Sequence, residues 1–390
     1  MGLKKKSTYA ARVLPGATWR ALGSTPRGPV HLMIAMADHF EPAIDPRGGQ
    51  LRVPRSEQER RLAWWSREYP RAVEEHRDSD GRPFVHTYFY PAEQYDEGLL
   101  QMVADHCHAG WGEVEIHLHH GVSQPDTADN TRRVLSEFRD RLAWRHRCLA
   151  FEEGSDQPRY AFVHGDFALA NSAGGRFCGV DSEMKVLAET GCFADFTLPA
   201  GVHHTAQTRK INSLYECGLP LDQQAPHRTG TDLASGRVPR VFPLMVQGPL
   251  VADWKSGLRS PRLLYETAAV TRHSSMTLKR LALWKRARIT VQGRPDWLFI
   301  KLHCHSMDPS QEGAVIGDPF RRFLGELVSG AHNRKETLHF VTAREMTNII
   351  LAACDGKDGN PGDYRDYRFK QTASAASTEK HNADPVGVKG

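Results

Sequence analysis

A chain of 390 residues exceeds the ~100–200 residues of an ordinary domain, but one barrel of βα units with insertions reaches about 250 residues or more, so length does not demand two domains. Hydrophobic residues make up 40% and charged residues 25% of it, proportions that allow a buried core and exclude a disordered or fibrous chain. The formal charge of +5 is spread along the sequence apart from Lys4, Lys5 and Lys6, with no basic block able to track a phosphate backbone, so no nucleic-acid partner is expected.

Residues 1–29 read as an N-terminal extension. The segment "STYAARVLPGATWRALG" lacks the unbroken apolar core of a signal peptide, and no later stretch is long and apolar enough to span a membrane. The seven cysteines are scattered, odd in number and without a C-x-x-C pair, so free thiols and a cytoplasmic location are expected. From about residue 30 short apolar runs alternate with amphipathic stretches, the pattern of βα units and of a mainly parallel sheet. A first strand, "PVHLMIAMADHF", ends near Asp38. After the helical "SEQERRLAWWSREYPRAVEEHR" comes a second strand, "RPFVHTYFYP". The helical "PAEQYDEGLLQMVADHCHAGW" then leads to a third, "GEVEIHLHH", and "TRRVLSEFRDRLAWRHR" to a fourth, "RYAFVHG". The acidic start and terminal glycine of "VDSEMKVLAETG" predict a capped helix leading into "CFADFTLPA". Residues of about 200–260, rich in Gly, Pro and polar side chains, read as a substrate-side loop insertion. The strands "PDWLFIKLHCHS" and "TLHFVTA" flank a helical "PFRRFLGELVSG", and residues 356–390 read as a flexible tail.

In parallel barrels the strand C-termini converge on one face, so reactive side chains should gather at strand ends. Asp38 and His39 end the first strand, His117, His119 and His120 the third, His164 and Asp166 the fourth, Asp195 the fifth, and His303 and His305 a late one. A single strand-end histidine is commonly only a structural hydrogen-bonder, but "EIHLHHG" places His117 and His119 on one face of a strand, where two imidazoles can share a divalent cation. "MADHFEP" offers Asp38, His39 and Glu41 as further ligands or as a base. "FIKLHCHS" likewise puts His303 and His305 on one face, with Lys301 deeper, and one of these imidazoles suits general-acid work. Asp166, Asn171 and Asp195 compete with readings as turn formers or caps.

This order of strand-end residues resembles the NodB-homology polysaccharide deacetylases over about residues 30–350. The resemblance implies an α/β fold of the (β/α)7 type, a distorted TIM-like barrel, spanning residues 30–355 with the insertion at about 200–260. It implies Asp38 as catalytic base and His39 at the place of the family's second, metal-ligating Asp. His117 with His119 or His120 stands for the family's paired histidines at a different spacing. His164 falls near the arginine segment, and Leu302-His303 corresponds to the late general acid. Stretches such as "HTYFYPAEQY" and "FVHGDFALANS" are similar to a divergent subgroup associated with bacterial surface polysaccharides.

The expectation is therefore a metal-dependent hydrolase removing N-acetyl or O-acetyl groups from a polysaccharide or amino sugar. Asp38, His303 and His305 would be catalytic, and His39, His117, His119 and His120 would hold the divalent cation, zinc by ligand type. Tyr88, Tyr90, Gln94, His164, Asp166, Asp195, Gln207, Asn212, Tyr215 and Gln247 would contact the carbohydrate. Two rivals remain: a glycoside hydrolase using Asp38 with Asp166 or Asp195 as its carboxylate pair, and a catalytically silent barrel that binds polysaccharide or a biosynthetic partner.

Overall fold

The computed structural model describes residues 28–48, 51–198, 210–254, 258 and 265–371. The expected βα alternation is present. In chain order the elements are β1 (Val30–His39), α1 (Arg55–Val73), β2 (His86–Pro91), α2 (Glu97–His106), β3 (Gly112–Leu118), α3 (Ala128–Asp140), β4 (Ala150–Glu152), β5 (Pro158–His164), α4 (Glu183–Glu189) and β6 (Cys192–Asp195). There follow β7 (Leu214–Cys217), β8 (Gly230–Asp232), β9 (Leu244–Val246), β10 (Val251–Ala252), β11 (Tyr265–Glu266), α5 (Leu278–Arg286), β12 (Trp297–Cys304), α6 (Asp318–Gly330), β13 (Glu336–Phe340), α7 (Ala343–Cys354) and β14 (Phe369–Gln371). Local chemistry starts the helices where polar side chains can take orphan N–H groups. Asp96 accepts from Leu99 N at the head of α2, and Thr342 and Glu345 form a reciprocal capping box on α7.

The result is a mixed α/β protein around a large, mostly parallel sheet. On one edge β1 pairs with β12; on the other it pairs first with β13 and then, nearer its end, with β2. From there the parallel order runs β2, β3, β5, β6, β9, before β7 and β8 join antiparallel. Among the described residues this pairing is an open path rather than a closed ring. The sheet is nevertheless strongly rolled, because Lys301 Nζ on β12 donates to Phe196 O, just past β6, at 2.6 Å across the concave side.

Period-two alternation divides every central strand between two environments. Leu32, Ile34 and Met36 of β1 pack with Trp65, Tyr69 and Leu99 of the helix layer, while Met33, Ala35 and Ala37 pack with Phe89, Val163 and Phe196 inside the roll. Val114, Ile116 and Leu118 of β3, and Leu298, Ile300 and Leu302 of β12, also join the helix-side core. The opposite faces of β3 and β12 carry Glu113, Glu115, His117, Lys301 and His303.

Two segments differ from the sequence expectation. Residues 200–260 are not only a loop excursion: β7, β8 and β9 lie within this stretch and extend the sheet, with Leu214, Leu244 and Val246 buried. Gly- and Pro-rich turns between very short strands hide their period. Residues 356–371 are packed rather than a free tail. Arg365 is buried among Asp78, Asp80, Glu345 and Phe340 O, β14 pairs with β4, and Phe369 stacks on Phe193. All seven cysteines are free thiols. Among the described residues, no helix is long and apolar enough to cross a membrane.

Candidate metal centre

Where the parallel strands end, the inward-facing positions converge. His39 closes β1, Glu41 follows two residues later, His117 lies on β3 and His119 just beyond it, and His303 and His305 lie at the end of β12. The rings of His39 and His117 are 5.0 Å apart, those of His39 and His305 4.5 Å, and those of His117 and His119 4.4 Å. Glu41 Oε1 sits 3.1 Å from His117 Nε2 and 3.4 Å from His119 Nε2. One ligand atom each from His39, Glu41 and His117 fits within 4.8 Å of the others, and all three residues are buried. A cavity of about 410 Å³ opens over them, with His119, Asp166, His303 and His305 in its lining.

The outer hydrogen bonds determine what these rings offer. His117 Nδ1 faces Val163 O at 2.8 Å; a carbonyl only accepts, so Nδ1 carries the hydrogen and Nε2 turns a lone pair toward Glu41. His119 Nδ1 is 2.8 Å from Glu93 Oε1, which orients its Nε2 toward the same Glu41 oxygen. Histidine with its far nitrogen held by a carbonyl or carboxylate is the usual support of a metal ligand. A β-carbon on Gly165 would stand 2.3 Å from the His119 ring, so glycine there leaves room for the imidazole.

Charge and burial act together at this mouth. Burial pushes His39 well below its ordinary range, and the neighbouring His305 and His117 push the same way. Burial opposes ionisation of Glu41, yet the His117 hydrogen bond and the charge of His119 hold its carboxyl at about 2. For His119, burial is outweighed by Glu93 and Glu41, which raise it to about 9. Burial also drives His303 well below 6.5, aided by Lys301 and His305. Beneath the mouth, burial lowers Lys301 to about 7 and raises Asp195 to about 7.

Several residues expected at this site lie elsewhere. Asp38 shares the outward parity of Met36: its carboxylate faces His86 Nδ1 at 3.1 Å and accepts from Ser306 N and Ser306 Oγ on the helix side. Asp38, His86 and Cys304 make a separate buried group of ligating type. Tyr88 and Tyr90 also point into the helix layer, where Tyr88 Oη meets Trp65 Nε1, His106 Nε2 and Trp111 O, and Tyr90 is buried 6.3 Å from the Phe138 ring. Gln94 lies in the short turn after β2 with a buried Oε1. His120 and His164 face away from the mouth and meet each other, with Nε2 atoms 3.1 Å apart.

Asp166 does reach the mouth, on a left-handed backbone with φ 52°. Asp195 is buried and accepts from Thr197 N and Thr197 Oγ1. Asn212 clamps both the N–H and the C=O of Leu250, Tyr215 Oη donates to His227 O, and Gln247 Nε2 donates to Lys210 O. These three hold the wall rather than line the cavity. Gln207 lies outside the described residues. Among the residues that sequence reasoning passed over, Glu93 sits in a turn and Glu183 reads as a helix-starting acid. Glu41 was legible, since an i, i+2 step past His39 keeps it near the same face.

Comparison of the chain with protein-family models, with curated proteins and with solved structures gave no significant match.

Proposed function

We propose that the protein is a metal-dependent hydrolase of the carbohydrate-deacetylase kind, working at the mouth formed by His39, Glu41, His117 and His119. The observation that carries this reading is the convergence of ligand atoms from His39, Glu41 and His117 within 4.8 Å. The hydrogen bond to Val163 O leaves the Nε2 lone pair of His117 pointed at Glu41, and Glu93 orients His119 so that its Nε2 meets the same carboxylate oxygen. Buried acceptors facing one another repel unless a cation or proton lies between them. Nitrogen and oxygen ligands with room left for substrate suit zinc. On this reading the rolled sheet is the wall of a distorted barrel of the (β/α)7 type, with its reactive groups at the strand C-termini.

A divalent cation bound here supplies Lewis acidity toward a carbonyl oxygen and makes a bound water more acidic. The chain's own groups do the rest. The cavity of about 410 Å³ admits a group the size of an acetamido sugar and lets the walls exclude bulk water. His303, kept neutral by burial, accepts the proton of the attacking water. His305, at the strand end, donates to the departing amine. Asp38 takes no part, because it faces the helix layer. The same orientation removes the Asp38 carboxylate from the pair that a glycoside hydrolase would need.

Acetate release from N-acetylated oligosaccharides and metal content, measured on one preparation, test the proposal. Glu41→Gln and His117→Ala should each lose the mouth cation and nearly all turnover. Undiminished acetate release in both variants, or none from metal-replete wild type on any N- or O-acetylated glycan, would refute it. The second outcome would leave a silent polysaccharide binder as the better reading.

A further inference from the structure

The loop leaving β5 assembles a second group of ligating atoms that the hydrolase reading does not use. His120 follows the mouth ligands on the opposite side of the chain, His164 ends β5, Cys178 lies in the next loop and Glu183 opens α4. All four are buried, with ligand atoms within 4.8 Å of one another. His120 Nε2 is 3.1 Å from His164 Nε2 and 2.8 Å from Glu183 Oε1, and His164 Nε2 is 3.3 Å from that same oxygen. Cys178 Sγ is 3.6 Å from Glu183 Oε2.

The surrounding hydrogens fix what these atoms present. His164 Nδ1 donates to Gly165 O at 2.5 Å, and His120 Nδ1 donates to Asp126 Oδ2 at 2.9 Å. Asp126 is itself held by Thr127 N, Asn130 Nδ2 and Thr131 Oγ1. Both imidazoles therefore turn their Nε2 atoms toward each other and toward a carboxylate, with the outer support that ligating histidines have. Cys178 Sγ accepts backbone N–H groups from Asn171 at 3.3 Å and Val180 at 3.4 Å, and such donors favour a thiolate.

The backbone is also shaped for this meeting. Gly121 has φ +62°, and a β-carbon there would lie 2.0 Å from Cys178 O, so only glycine lets the end of β3 approach the cysteine loop. Phe177 N donates to Gly121 O, and Asp126 N to Cys178 O. The chain between His164 and Cys178 holds Asp166, Phe167, Ala170 and Asn171 at positive φ, a strained path that needs an anchor.

We propose that His120, His164, Cys178 and Glu183 form a closed, four-ligand site for a divalent cation of the zinc class, structural and distinct from the mouth. Two imidazoles and a thiolate favour zinc over magnesium or calcium, and four protein ligands leave no position open for substrate. A thiolate and a carboxylate with two neutral imidazoles carry a formal charge that one divalent cation cancels, which a buried site requires. The bound ion staples the ends of β3 and β5 to α4, and so fixes the loop that carries Asp166 and Phe167 to the rim of the mouth.

The test uses the full chain produced in zinc-depleted medium with Co²⁺ as the only added transition metal. Ligation by Cys178 gives a near-ultraviolet sulfur-to-cobalt charge-transfer band, which the nitrogen and oxygen ligands His39, Glu41, His117 and His119 cannot give, and Cys304→Ser controls for the one cysteine that lines the mouth. The band should be present in wild type, retained in Glu41→Gln and in Cys304→Ser, and lost in Cys178→Ser together with about one metal equivalent per chain. Folded, cobalt-loaded wild type without the band overturns the proposal, as does a band abolished by Cys304→Ser. Should Cys178→Ser fail to fold, wild type and Cys304→Ser still decide the matter. Because the mouth is read separately through Glu41→Gln, failure of the hydrolase reading leaves this result intact.

Discussion

Asp38 and Glu41 stand three residues apart and are expected to behave in opposite ways. Asp38 is enclosed by His86 and Ser306 on the helix side, so Asp38→Asn removes a charged acceptor from a buried network. It should cost about 1–3 kcal/mol of stability while leaving turnover and the mouth cation largely intact. Glu41→Gln should abolish turnover together with the mouth cation; metal content, thermal melts and acetate release on both variants give the comparison. His303 makes a second test. Its folded pKa lies well below 6.5, so the neutral form that accepts a proton is present above that value and is lost as pH falls through it. The acidic limb of turnover should therefore lie below pH 6.5, and His303→Gln should remove that limb together with most of the rate. A limb above 6.5, or turnover lost on the alkaline side with His303 as its source, would assign this imidazole to acid work instead.

At the level of elements, the last described strand is the clearest departure from its appearance in the sequence. β14 is three residues long, yet Phe369 is fully buried against Phe193, and its N–H donates to Asn348 Oδ1. Chain termination after Arg368 should destabilise the fold by roughly 3–5 kcal/mol, the scale of deleting a buried phenyl ring, relative to termination after Gln371, which keeps this strand. Equal melting temperatures for the two truncations would show that β14 contributes nothing. The strand escapes sequence reasoning because its neighbours Tyr364, Arg365 and Tyr367 alternate too irregularly to mark a face, and because its partner β4 is equally short. The long strands behave differently. β1, β3, β5 and β12 each carry an uninterrupted apolar face, and each was legible with its end close to the observed one.

Across the whole molecule, the sheet interior holds more charge than a packed core normally does. Glu113 enters this interior from β3 and is paired with Arg344 of α7 by contacts of 2.7 and 3.1 Å, while Thr342 Oγ1 donates to it. Both side chains are buried, so Arg344→Met would leave a carboxyl without its partner in a medium that penalises it. A loss of about 3–5 kcal/mol is expected, and Glu113→Gln in the same background should recover part of it. If Arg344→Met melts with wild type, the pair is not a determinant of the fold. Because α7 and β3 are joined here, at the opposite end of the strands from the mouth, turnover per folded molecule should be unchanged.

The sequence by itself determined the alternation of strand and helix, the strand ends as the place where ligating side chains gather, and the local pairs His117 with His119 and His303 with His305, since period two is a property of one strand and needs no partner. It did not determine which face of each strand looked inward. Asp38 and His39 are both at a strand end, as are His119 and His120, and one residue of register separates the mouth from the helix layer. That choice is made by the whole roll of the sheet, which takes Met33, Ala35 and Ala37 inward and thereby turns Asp38, Tyr88, Tyr90, His120 and His164 outward. The meeting of His120 and His164 with Cys178 and Glu183 was likewise decided only in three dimensions, because those four ligands span more than sixty residues and are brought together by a strand end, a strained loop and the first turn of a helix.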